Sequence, residues 1–317
     1  MQYVITTIEG SSAEIDAVGF LHHYWLSKYE YTTVKKLYKA IKKKVKKDNA
    51  QAFLNELVTD SKTYREIHEV TYRKWAIEQQ RIRDSLEAFT SFRIRQQVPI
   101  VLSVMRDYKA GKIKKKEVED MLSAIENFHF LFTAVTSQRS SGGISQMYAS
   151  SARALVNAAT RDDKIIVLKD LRDKLKKKIP VQREFDANFA DIHYSNDYTK
   201  QKTLVKYILR RIHEYYNRGV AADYDRMTIE HICPQSDSDT GPIDYKHMAQ
   251  LGNLILVPEE LNEKLGKKSF VEKREILDEH KVKLDEILIS SSSWTNEQIQ
   301  LRTEWLAYLS YKSIWKI

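Results

Sequence analysis

At 317 residues, 42% of them hydrophobic and 30% charged, the chain carries enough apolar material for a sizeable core and is too apolar to stay disordered. Only 9 Gly and 5 Pro interrupt it, so long helices are expected and an all-β architecture is not. A balance of 52 Lys and Arg against 43 Asp and Glu leaves a formal charge of +9, which suits a polyanionic partner such as nucleic acid. The single cysteine, Cys233, excludes an internal disulfide and any multi-cysteine zinc site. No apolar run approaches the ~18 residues of a membrane span, and the start, Met1-Gln2-Tyr3-Val4-Ile5, lacks the charged and apolar regions of a signal peptide. The expectation is a cytoplasmic protein with no membrane partner.

Helical periodicity dominates residues 15–217, and residues 1–217 are expected to form a helical bundle domain. Leu37, Ile41 and Val45 recur four residues apart with lysines between them, the pattern of an amphipathic helix with a basic outer face. Residues 64–89 read as one long helical stretch, since no Gly or Pro breaks it. Pro99 is placed to open a helix at its first turn, and residues 109–114, with Gly111, read as a connecting turn. Residues 117–135 become unusually apolar at Phe128-His129-Phe130-Leu131-Phe132, as expected of the central buried helix of the bundle. Residues 137–143 read as a flexible loop. Helices are then expected over 148–158, 163–178 (closed by Pro180) and 203–216.

After Asn217-Arg218-Gly219 the period changes. Short apolar runs at 227–232 and 254–257 read as strands separated by a polar loop at 236–242. Helical periodicity returns at 270–289, and 294–309 forms a last helix with Ile299, Trp305 and Leu306 facing inward. Residues 218–317 are therefore expected to form a second domain.

The chemistry concentrates in that domain. Thr228-Ile229-Glu230-His231-Ile232-Cys233-Pro234-Gln235 places an acid–histidine pair at the end of the first strand, with the two side chains on opposite faces. A neutral His231 can take a proton from water, and Glu230 can hold a cation. The alternative is a structural histidine at a strand end. Asn262 offers a hard amide oxygen suited to Mg²⁺, or else serves as a helix cap or surface residue. Asn253, in the turn into the second strand, can hydrogen-bond the backbone near His231 and fix the hairpin, or form a plain Asx-turn. Lys267 and Lys268 can meet a phosphate backbone or be simply solvated, and the same choice applies to the lysine runs at 42–47, 112–116 and 174–178.

Together these residues resemble the HNH, or His-Me finger, nucleases, and the HNH domain of RNA-guided CRISPR nucleases shows a similar run. Closer still, His231-Ile232-Cys233-Pro234-Gln235, Leu251-Gly252-Asn253-Leu254, Asn262 and Ser269-Phe270 with Lys273-Arg274 resemble the C-terminal nuclease domain of GmrSD-type, modification-dependent restriction endonucleases. Trp294, Ile299, Arg302 and Trp315 are similar to that family's closing helix. Tyr24-Trp25, Lys35-Lys36-Leu37-Tyr38 and Asn127-Phe128-His129-Phe130 are similar to its linker bundle.

The resemblance implies a mainly α protein: a helical bundle with an inserted ββα-metal module near the C-terminus. It implies a Mg²⁺-dependent (or Mn²⁺-dependent) DNA endonuclease of a restriction or anti-phage defence system. His231 and Asn253 would be catalytic residues, Glu230 and Asn262 metal ligands, and Lys267 and Lys268 contacts to DNA phosphate. The family's N-terminal module, with its Asp-Gly-Gln-Gln-Arg signature and nucleotide hydrolysis, has no counterpart here, so a nucleotide-hydrolysing module or separate subunit of the same system is an expected partner besides DNA. The alternative is a catalytically inert helical subunit that binds DNA or docks a partner.

Overall fold

The computed structural model describes residues 1–138, 142–220, 222–234 and 243–317; Gln235, the polar loop expected at 236–242 and part of the loop expected at 137–143 lie outside them. The protein is mainly helical, and its one sheet among the described residues has two strands. None of the helices is long and apolar enough to cross a membrane, among the described residues.

By contact the chain divides into two compact units. One comprises residues 1–129 and 138–179, with Ile317; the other comprises 130–137 and 180–316. The change of period at Asn217 thus falls inside the second unit. The two helices before it belong with the strands because their apolar faces are used there.

The first unit holds nine helices among the described residues: α1 (Gln2–Glu9), α2 (Ala17–Lys28), α3 (Val34–Lys44), α4 (Ala50–His68), α5 (Gln80–Ser91), α6 (Val98–Lys109), α7 (Lys115–His129), α8 (Gly142–Asn157) and α9 (Arg161–Lys176). Pro99 sits in the first turn of α6 as expected, and α6 ends before Gly111, whose φ of 69° makes the turn into α7. Central position goes to α6, which packs against α2, α4, α7 and α8 and buries every residue from Val98 to Met105. The apolar end of α7 is buried as well, but it is not the axis of the bundle. Several polar groups carried into this core are paired. Asp107 meets Lys164 at 2.8 Å, Asp60 takes Arg106 at 2.6 Å, and His129 Nε2 meets the Tyr148 hydroxyl at 3.0 Å.

The long helix expected over 64–89 is broken. Helix α4 stops at His68, two 3-10 turns (Val70–Tyr72 and Ile77–Gln79) intervene, and α5 starts at Gln80. No Gly or Pro is responsible. Side chains tie the segment down instead: Trp75 Nε1 donates to the Val70 carbonyl at 2.7 Å, and the Arg73 guanidinium lies 3.5 Å from the Trp75 ring centre. A cation on an indole face stabilises a non-helical path that periodicity cannot register.

The second unit contains the π-helical turn Phe130–Val135, α10 (Gln182–Ala190), α11 (Lys202–Tyr216), β1 (Met227–His231), α12 (Tyr245–Ala249), β2 (Leu254–Pro258), α13 (Glu259–Leu265), α14 (Phe270–Glu279), α15 (Glu286–Ser290) and α16 (Asn296–Leu309). Strands β1 and β2 are antiparallel, pairing Met227 with Pro258 and His231 with Leu254. Helix α13 follows β2 directly, while α12 and the 3-10 turn Leu251–Asn253 lie between the two strands of this unit. Its core joins Ile255 and Val257 of β2 to Leu261 and Leu265 of α13, Leu277 of α14, and Trp294 and Ile299 at the last helix.

Two expectations shift here. The periodic run 270–289 is two helices, α14 and α15, with Lys281 in the left-handed region (φ 55°) between them. On α16, Ile299 and Leu306 are fully buried and Trp305 is half-buried. At the end of the unit Trp315 stacks on Phe130 at 3.9 Å and donates to the Tyr207 hydroxyl at 2.9 Å.

Candidate functional site

Strand β1 ends with its two ionisable side chains on opposite faces, because residues alternate along a strand. Both are buried, Glu230 to 7% exposure and His231 to 6%. His231 Nε2 lies 3.1 Å from the carbonyl oxygen of Tyr194, whose own N–H donates to the Ala249 carbonyl at 2.8 Å. A carbonyl can only accept, so the hydrogen resides on Nε2 and the lone pair on Nδ1. Burial lowers the His231 pKa to about 4; the Tyr194 carbonyl opposes that shift and the Lys273 charge adds to it. At neutral pH the ring is uncharged and of one tautomer, its orientation reinforced by the Tyr194 ring stacked 5.9 Å away.

Glu230 is paired. Lys273, on α14, places Nζ 2.5 Å from Glu230 Oε1 and 2.7 Å from the His231 carbonyl oxygen. Burial raises the Glu230 pKa, while Lys273 and the His231 backbone N–H pull it back down. Lys273 reaches this spot because Ser269 caps α14 through a capping box with Glu272, which fixes the first turn of the helix.

Asn253 is fully buried and every group of its amide is used. Its Oδ1 accepts from Cys233 N and from Trp294 Nε1, both at 2.9 Å; its Nδ2 donates to the Met248 carbonyl at 2.9 Å and the Cys233 carbonyl at 3.1 Å. It ties the exit of β1, two residues past His231, to the entry of β2. Asn262, on α13, donates from Nδ2 to Thr228 Oγ1 at 3.0 Å and to the Ile229 carbonyl at 3.2 Å. That assignment leaves Oδ1 as its acceptor end. Thr228 shares its strand face with Glu230, so Asn262 stands on the Glu230 side of the hairpin.

Lys267 and Lys268 are exposed, on the turn between α13 and α14, and Lys268 Nζ folds back onto the Lys264 carbonyl at 2.7 Å. The structure thus gathers Glu230, His231, Asn253 and Asn262 around one strand and leaves the two lysines on a separate exposed turn. Of the other basic runs, Lys115, Lys116, Lys174 and Lys176 each pair with a carboxylate three or four residues away, as on an ordinary solvated helix face.

Some residues that shape the site carry no signal in the motif itself. Tyr194 orients His231 from a loop 37 positions upstream. Arg302 donates to the carbonyls of Gly252 at 2.7 Å and Leu254 at 3.0 Å, and pairs with Asp285 at 2.8 Å. Gly252 presses so closely on α16 that an added Cβ would lie 2.1 Å from the Ile299 carbonyl oxygen. Beside the hairpin an open groove of about 540 Å³ has a lining of mixed charge, with Arg226, Lys264 and Lys281 alongside Asp223, Glu259 and Glu260. Lys273 and Arg302 were legible only as members of the family-like pattern.

Among the described residues no group of three or more His, Cys, Asp or Glu side chains is assembled to hold a metal. The hard oxygens on this side of the hairpin are the Glu230 carboxylate, which Lys273 pairs at 2.5 Å, and Asn262 Oδ1.

A mainly helical domain built on a two-stranded hairpin, with a helix directly after the second strand and a buried acid–histidine pair at the end of the first, is the class this geometry defines. Residues 179–309 match the family described as GmrSD restriction endonucleases, C-terminal domain. That segment is similar to the C-terminal domain of GmrSD restriction endonucleases. The match covers less than half of the chain, and it begins where the second unit resumes at Pro180. No curated protein matches the chain.

Proposed function

We propose that the chain is a divalent-metal-dependent DNA endonuclease of the HNH type, the nuclease part of a restriction or anti-phage system acting on foreign or modified DNA. The observation that carries this reading is the state of His231. A general base must be neutral at working pH and present its lone pair in a defined direction, and the Tyr194 carbonyl together with burial supplies both conditions. In the proposed reaction His231 takes the proton from the attacking water. Asn253 positions the strand end that carries the histidine, and Lys273 holds Glu230 in place. Bound Mg²⁺ or Mn²⁺, held by Glu230 and Asn262, would neutralise charge at the scissile phosphate. Lys267 and Lys268, on the turn after α13, would contact the DNA backbone.

A second reading has an observation of its own. The tight Glu230–Lys273 pair occupies a carboxylate that the nuclease reading assigns to a metal, which favours an inert module serving as a DNA-binding or partner-docking subunit.

One experiment separates them: cleavage of plasmid and modified phage DNA under single-turnover conditions, with Mg²⁺ and with EDTA. The nuclease reading expects cleavage that EDTA abolishes and a rate loss of roughly 10²–10⁴ in His231→Ala with DNA affinity nearly unchanged. Lys267→Ala with Lys268→Ala should instead weaken binding and make the salt dependence shallower by roughly 2 units. Cleavage by His231→Ala at the wild-type rate, or full activity in excess EDTA, would sink the reading; absence of cleavage by wild type would favour the inert module.

A further inference from the structure

Most of the chain's net charge sits on and around α3 in the first unit. Residues 30–49 hold eight lysines against two acids, Glu30 and Asp48, a net +6 out of the +9 of all 317 residues. All eight lysines are exposed, and among the described residues none of them is ion-paired. Lys44 lies 5.5 Å over the Tyr29 ring, while the Glu56 carboxylate is taken by Lys28 at 2.6 Å. The lysine runs of α7 and α9 differ: Lys115, Lys116, Lys174 and Lys176 each meet a carboxylate of their own helix.

Helical geometry arranges this charge in two rows. An α-helix turns by about 100° per residue, so Leu37, buried, and Ile41, half-buried, fix the side of α3 that packs on α2. On the opposite side Lys35 and Lys42 form one row and Lys36 and Lys43 a second, about 100° further round the axis, with Lys39 between them. Lysines three and four residues apart repel one another. Mobile counterions screen that repulsion in the free protein, and a fixed array of phosphates that displaces them gains the entropy of their release. A flat anionic surface, or a single strand, meets one row at a time. The two backbones that border the major groove of a duplex meet both, and that groove admits a helix. A lipid surface would in addition need a free apolar face, and the apolar side of α3 is turned to the body, leaving only Val34 and Tyr38 exposed.

We infer that α3 is a duplex-DNA-binding surface of the first unit, with Lys35 and Lys42 on one backbone and Lys36 and Lys43 on the other. The 11-residue helix spans about 16 Å, over which each strand presents about five phosphates. Tyr38, 72% exposed, stands beside the first row, where its hydroxyl can donate to a phosphate oxygen. The helix carries no Arg, Asn or Gln to read base edges, so this contact is with the backbone and indifferent to sequence. The choice of DNA among double-stranded polyanions rests on the function proposed above; the two-row charge geometry does not.

The test measures binding of the full chain to a short labelled duplex by fluorescence anisotropy, in EDTA so that no cleavage intervenes, over a series of salt concentrations. One variant combines Lys35→Gln, Lys36→Gln, Lys42→Gln and Lys43→Gln. A control variant removes the same charge from the same unit, through Lys115→Gln, Lys116→Gln, Lys174→Gln and Lys176→Gln. Circular dichroism checks that both are folded. The α3 variant should bind duplex roughly tenfold more weakly or worse, for unrelated sequences alike, with a slope of log K against log salt shallower by roughly 4 units. The control should bind nearly as wild type does.

The inference is overturned if wild type binds no duplex, or if the α3 variant binds it as wild type does. It falls too if the control loses as much, since net charge alone would then suffice, or if a single strand of the same length binds as tightly and loses as much in the α3 variant. Dependence on these lysines for binding phosphatidylserine vesicles but not duplex DNA would make the partner a membrane and sink it as well. Duplex binding lost in the α3 variant, with no cleavage by wild type in Mg²⁺, would leave this inference standing and sink the nuclease reading. Cleavage by wild type with unchanged binding by the α3 variant would do the reverse.

Discussion

Replacing Lys273 by Met tests how the buried acid at the end of β1 is held. The side chain of Lys273 is 1% exposed and that of Glu230 10%, with 2.5 Å between Nζ and Oε1, so neither charge has much access to water. Methionine keeps most of the stem volume and removes the cation. Glu230 is then a buried carboxylate without a counter-charge, and the His231 carbonyl loses its donor as well. Breaking a buried pair from one side costs about 3–5 kcal/mol, a large part of the 5–15 kcal/mol typical of a folded domain. The double variant Lys273→Met/Glu230→Gln removes the stranded charge and should recover about half of that loss or more.

The pH dependence has a definite sign. The folded pKa of Glu230 already lies above its unfolded value because of burial, and losing Lys273 raises it further. Below the new folded pKa the folded protein holds a proton that the unfolded chain releases, so the deficit of Lys273→Met is fully present above that pKa and shrinks as pH falls toward 4.5. Urea denaturation at about pH 7.5 and about pH 5, followed by tryptophan fluorescence and circular dichroism, reads both effects. A variant within about 1 kcal/mol of wild type at the higher pH, or a deficit that grows at the lower one, would refute the assignment.

Asn253→Ala should cost about 3 kcal/mol or more, since it strands the Trp294 indole N–H and the Met248 carbonyl in the core; an activity loss at unchanged urea midpoint would instead place Asn253 at the substrate. Gly252→Ala should destabilise the second unit by more than about 3 kcal/mol, because its Cβ would lie 2.1 Å from the Ile299 carbonyl oxygen, and a wild-type midpoint would show that α16 can move away. In the first unit burial lowers the pKa of His23 to about 3, His68 to about 4 and His129 to about 3. The unfolded chain takes up protons near pH 6.5 that the folded one refuses, so stability should fall as pH drops from about 6.5 toward 4, by up to about 1.4 kcal/mol per unit for each histidine. A urea midpoint that stays flat between pH 7 and 5 would contradict this.

Local order was written in the sequence where a short-range rule governs it. Pro99 opens α6, Gly111 ends the connection after it, and the change from a helical to a strand-like period marks the hairpin of Met227–His231 and Leu254–Pro258. The neighbourhood of Glu230, His231, Asn253 and Asn262 was equally legible, since one hairpin and the helix after it bring together residues within 32 positions of one another. Tertiary structure decided the rest. The break between α4 and α5 depends on Arg73 stacked on Trp75, and the choice of α6 as the bundle axis depends on which four helices surround it. The tautomer of His231 is set by a carbonyl 37 residues away, and the charge on Glu230 is held by a lysine 43 residues away. A motif fixes which groups lie near one another along the backbone, whereas burial and the partners supplied by distant segments determine whether each is charged, neutral or engaged.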